Sequence, residues 1–108
     1  MAKNLIQDGN TVRFVAAKKI KSGDVVVIGD LVAIALSNVE AKEEGIGATT
    51  GVFNVPAKQA DDIKQGAVLY WSDTEGATTT NGGSNKRLGI AWQPSGTQST
   101  TVDVKINV

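Results

Sequence analysis

The chain has no cysteine and no histidine among its 108 residues. Those two absences exclude a thiol nucleophile, a disulfide staple, an imidazole base and the usual donor sets for zinc. Stability must then come from apolar burial, strand pairing or assembly with other chains. Missing cysteine suits an intracellular or particle-borne protein without fixing the compartment, since many exported proteins also lack it. Aromatics are scarce, with Phe14, Phe53, Tyr70, Trp71 and Trp92 the whole set. Net charge is absent too: eleven basic side chains balance eleven acidic ones, so no long-range field draws the chain to nucleic acid or an anionic membrane. No segment approaches the roughly 18 apolar residues of a membrane-crossing helix, and MAKNLIQDGN lacks the apolar stretch of an export signal. The expected partners therefore include no direct nucleic acid and no membrane.

What is present is glycine, threonine and valine. Twelve glycines with many Thr and Val describe a light, turn-rich β protein. Two stretches are copies of one motif: IKSGDVVVIGD at Ile20 to Asp30 and IKQGAVLYWSD at Ile63 to Asp73, with five identities in eleven positions. Each is a turn feeding an apolar strand, and each is followed by an Ile-Ala strand, Ile34-Ala35 and Ile90-Ala91. A looser third pairing sets 49–55 beside 100–104. The expected fold is all-β, a small β-barrel or β-sandwich built from two similar tandem β units, with at most one short helix. At this length it is expected to be a single β domain over 1–108, with 1–10 as a mobile N-terminal arm.

Along the chain, Val12 and Phe14 share one face of a first strand, Thr11 to Val15, after the turn Asp8-Gly9-Asn10. Val25 to Ile28 is an uninterrupted β-branched run, which predicts a strand covered on both faces. Leu31 to Leu36 reads as a strand. Ala41 to Glu44, cut short by Gly45 and Gly47, reads as an exposed charged loop. Val52 to Val55 is a strand closed by Pro56. Ala57 to Gln65 is the best helix candidate, two turns at most before Gly66. Val68 to Trp71, Arg87 to Trp92 and Thr101 to Val108 complete the strands, and in the last Val102, Val104, Ile106 and Val108 alternate with polar residues. Asn81 to Asn85 has the composition of a hairpin loop.

No arrangement of side chains suggests catalysis. Glu40, Glu43 and Glu44 lie beside Lys42 on or next to that loop, where solvated charge explains them better than a paired-carboxylate site. Asp61 and Asp62 suit the N-terminal end of the short helix. Lys18, Lys19 and Lys21 read as a solvated loop offset by Asp24 and Asp30. There is no G-x-S-x-G elbow, phosphate loop or G-x-G-x-x-G fingerprint. The expectation is no enzyme, with no catalytic, cofactor-binding or metal residues. Trp71 and Trp92 fall where the other unit has Ile28 and Leu36. They fill the core or its open end in one account, and form a subunit interface in the other.

The opening MAKNLIQDGNTVRF, the SGDVVVIGDLVAIAL block, TTGVFNVP, GAVLYWSD and the closing LGIAW and TTVDVKINV together resemble the small capsid cement, or decoration, proteins of tailed bacteriophages and prophages. The resemblance runs almost the full length and lies in the order of the blocks. It implies a structural virion protein on the outer surface of the head, present in host cytoplasm before assembly. Its partner would be the major capsid protein, its form a homotrimer, and its role to clamp neighbouring capsid subunits against internal pressure. Lys3, Asn4, Leu5, Ile6 and Gln7 are the expected capsid-binding segment, able to add a strand to an exposed sheet edge; an equally open reading makes them the first strand of the barrel. The alternative function is a tail or head-completion module that binds a receptor or glycan through Asp73 to Asn85.

Overall fold

A computed structural model describes residues 3–4, 6–58, 62–83 and 85–108. Its strands are β1 (Thr11–Val15), β2 (Val25–Ile28), β3 (Leu31–Ala35), β4 (Glu44–Ala48), β5 (Val52–Pro56), β6 (Val68–Ser72), β7 (Gly76–Thr78), β8 (Lys86–Ala91) and β9 (Thr101–Ile106). They form two antiparallel sheets, ordered β1-β4-β3-β2 and β5-β9-β8-β6-β7. With β7 set aside, the second order is the first with each strand replaced by its counterpart in the other half. The all-β, two-unit expectation holds.

The repeat is visible bond by bond. Ile20 and Val39 exchange two backbone hydrogen bonds of 2.8 Å, and so do Ile63 and Ser95. Gly23 N–H donates to Ala35 O at 2.8 Å, as Gly66 N–H does to Ala91 O. Both glycines sit at positive φ, 90° and 87°, the left-handed turn conformation that a side chain opposes. Further on, Leu36 N–H donates to Ile46 O and Trp92 N–H to Asp103 O. At the far edge Ala16 N–H donates to Glu43 O and Ala57 N–H to Thr100 O. These bonds make β4 the counterpart of β9 and β1 the counterpart of β5. The looser pairing of 49–55 with 100–104 is thereby corrected: β5 and β9 are hydrogen-bonded neighbours, Phe53 facing Val104 and Val55 facing Val102.

The main core joins the units. Val32 and Ile34 of β3 pack with Val55, Ile63, Leu69, Leu88, Val102, Val104 and Ile106 of the second unit. A smaller cluster of Phe14, Ala16, Ile20, Ala35 and Val39 belongs to the first unit. β9 shows the expected alternation, with Val102, Val104 and Ile106 buried. Asn107 closes the seam, since its amide donates to Val32 O at 2.7 Å and to Thr49 O at 2.8 Å.

Residues 41–43 form the exposed charged loop expected there. The strand Glu44 to Ala48 that follows was not expected, and it forms because its inward positions are glycines that make room for neighbours. A Cβ on Gly45 would lie 2.5 Å from Val39 Cγ2 and 3.0 Å from Phe14 Cζ, and one on Gly47 would lie 2.8 Å from Ala33 Cβ. Among the described residues of 57–65 there is no helix. Ala57 instead bridges Ala77 and Ile63 bridges Ser95, both with buried side chains, so tertiary pairing overrides a weak local preference. Residues 59–61, Asp61 included, lie outside the described residues.

Candidate functional site

The carboxylates singled out by sequence do not converge. Glu40, Glu43 and Glu44 are exposed, and Asp62 forms a surface ion pair with Lys64 at 2.9 Å. Among the described residues no three acidic side chains are placed to share a metal ion. Lys18, Lys19 and Lys21 are exposed, and Lys21 N–H donates to Asp24 Oδ2 at 3.0 Å, which closes the turn before β2.

Lys3 and Asn4 are exposed, and Ile6 is 91% exposed, an unusual environment for so apolar a side chain. Leu5 lies outside the described residues. Gln7 Nε2 donates to Thr11 O at 2.7 Å. The tie to the body begins at Gly9 and Asn10, whose carbonyls accept bonds from Thr49 Oγ1 and Thr49 N–H.

The two tryptophans sit apart. Trp71 faces Lys86 at the start of β8 across the β6–β8 pair, whereas Trp92 follows the end of β8. Trp71 packs half-buried against the main core. Trp92 is 47% exposed, with Lys105 Nζ 5.7 Å from its ring centroid and Gln65 Nε2 donating to its carbonyl at 3.1 Å. Leu36, its counterpart in the first unit, is exposed to a similar degree.

A groove of about 530 Å³ is lined by Phe14 to Lys18 and Val25 to Ile28 of the first unit together with Pro56, Trp71 and Asp73 of the second, among others. It runs between β1 and β2, the two outer strands of their sheet, each paired on one side only. Val15 is 67% and Val27 38% exposed at its walls. This corrects the expectation that β2 is covered on both faces. Sequence reasoning did not find the groove, although the apolar run of β2 was its signal.

A two-unit β body whose prominent surface features are free strand edges and exposed apolar side chains has the character of an assembly component. Residues 6–106 match the family model of phage cement proteins, and the chain belongs to that family. The resemblance read from the sequence is thus a membership, and it carries a structural role in the phage particle in association with its capsid. No curated protein and no solved structure matches the chain. Among the described residues no helix is long and apolar enough to cross a membrane.

Proposed function

We propose that the protein binds the outer surface of the assembled head as a homotrimer and clamps neighbouring major capsid subunits against the pressure of the packaged DNA. The observation that carries this reading is the cement-family match over residues 6–106. Physically, each contact can be weak. Many copies, each engaging two or three shell subunits, add resistance to expansion through multivalency. In this reading the segment Lys3 to Gln7 binds the capsid, and Trp71 and Trp92 lie at the interface between subunits of the trimer. The protein acts without catalysis and waits in host cytoplasm until heads are available.

A receptor- or glycan-binding tail module is the weaker reading. Gly76, Ala77 and Thr78, in the middle of the stretch it would use, are buried as β7. The test is co-sedimentation with undecorated heads. Saturable, stoichiometric binding that raises the temperature of head disruption supports the clamp, whereas binding to host cells without binding to heads removes it.

A further inference from the structure

The loop between β7 and β8 holds the chain's single Asn-Gly pair, Asn81-Gly82. The carbonyl carbon of an asparagine side chain lies within reach of the next residue's main-chain nitrogen, and attack by that nitrogen closes a succinimide ring. Closure needs a side-chain amide that is free to turn, a nitrogen whose N–H is not held in a hydrogen bond, and a following residue that does not crowd the approach. Glycine, without a Cβ, meets the last condition best. Asn81 and Gly82 are both exposed. Among the described residues neither the Asn81 side chain nor the Gly82 N–H has a hydrogen-bond partner. The other asparagines differ. Asn10, Asn38, Asn54, Asn85 and Asn107 each have the side chain in a hydrogen bond, and Asn4 is followed by the bulky Leu5.

A tight hairpin turn is the usual structural reason for such a pair, and it does not apply here. The turn lies one step further on, where Asn85 N–H donates to Gly82 O at 3.1 Å. Gly83 has the positive φ, 57°. Gly82 does not, and a Cβ added to it would meet nothing within 4 Å, so the fold makes no demand for glycine at that position.

We propose that Asn81 is a site of spontaneous deamidation, which gives each copy of the chain a new negative charge and loosens the β7–β8 loop. The Gly82 nitrogen gives its proton to water and bonds to Asn81 Cγ. The Cγ–Nδ2 bond then breaks, and Nδ2 takes up a proton and leaves as ammonia. Water opens the succinimide at either carbonyl. Cleavage at Cγ restores the main chain with an aspartate in place, whereas cleavage at the main-chain carbonyl leaves the chain running through Cγ as an isoaspartate. One water enters, one ammonia leaves, and nothing is oxidised or reduced. Because eleven basic and eleven acidic side chains balance, the new carboxylate takes a neutral chain to a net charge of minus one. The isoaspartate also lengthens the main chain between Thr80 and Gly82. Both of their carbonyls accept from Asn85, each at 3.1 Å, so this clasp of the loop opens while β7 and β8 stay paired to β6. The chemistry belongs to the chain alone and does not depend on the proposed clamp.

The test follows purified protein in mildly alkaline buffer at physiological temperature. Samples are taken for isoelectric focusing and for mass mapping of the tryptic peptide Gln65 to Lys86, with fragmentation to locate the change. An acidic band should grow with time, and Asn81 should convert ahead of every other asparagine, with isoaspartyl methyltransferase labelling the same peptide. Asp8-Gly9 can close the same ring, but it loses water rather than ammonia and so adds neither charge nor mass. Gly82→Ala should slow the acidic band by roughly tenfold or more, the effect of about 1.4 kcal/mol on the barrier, while its urea midpoint stays with the parent because the added Cβ meets open space. Asn81→Gln, whose longer side chain must close a larger ring, should remove the band. Three results would each overturn the inference: Asn81 intact while another asparagine converts, a band that forms as fast in Gly82→Ala, or conversion of Asn81 only after unfolding in urea.

Discussion

Asn107 offers the sharpest quantitative test of how the two units are joined. Its backbone has a positive φ of 60°, and its amide donates to Val32 O and Thr49 O at 2.7 and 2.8 Å. Both acceptors belong to the first-unit side of the seam, so one side chain ties the end of β9 to β3 and to the turn after β4. Asn107→Ala removes both bonds, at about 1 kcal/mol each. It also places an alanine in the left-handed region, which adds roughly 1 kcal/mol. The expected loss is about 3 kcal/mol, a large share of the 5–15 kcal/mol typical of small domains, and it should lower Tm by roughly 12 °C. Asn107→Gly keeps the conformational ease and loses only the bonds, so its loss should be about 2 kcal/mol. Urea unfolding followed by tryptophan fluorescence measures both variants. An alanine variant within 0.5 kcal/mol of the parent would refute the seam, and a glycine variant less stable than the alanine one would refute the backbone part.

Other outcomes follow from the same geometry. Gly47→Val should cost roughly 1–3 kcal/mol by overpacking, since the added Cβ meets Ala33 Cβ at 2.8 Å, and a thermal melt reads it directly. Gly23→Ala and Gly66→Ala should destabilise by matching amounts, about 1 kcal/mol each, because they hold equivalent turns at nearly equal φ; unequal urea midpoints would undo the equivalence. Asp30→Ala breaks an ion pair with Lys86 in which the carboxylate is 96% exposed, and its effect should stay below about 0.5 kcal/mol. Trp92→Ala should leave the melt nearly unchanged, given its exposure, while weakening sedimentation with heads if that face is a contact.

Much of this architecture was legible because the repeated motif carries its own turn. The Gly23 and Gly66 turns, β2 and β6 were readable from identical residues at matching spacing, and the Ile-Ala strands from a shared dipeptide that follows at a longer distance in the second unit. β1 and β9 were readable from period-two alternation, as in Val102, Val104 and Ile106. β4 was not, because the residues it turns inward are Gly45 and Gly47, whose lack of side chain looks like a loop until Phe14 and Val39 are seen filling the space. The bridges at Ala57 and Ile63 escaped for the opposite reason. They depend on partners at Ala77 and Ser95 that no local pattern announces. The groove was half-legible, since the apolar run of β2 was readable while its exposure beside β1 was not.

The account as a whole is tested most directly by light scattering on the purified protein, alone and with emptied heads of its particle. It predicts a three-chain assembly that joins heads in stoichiometric amounts and raises their resistance to heat. A stable single chain that ignores heads would contradict it.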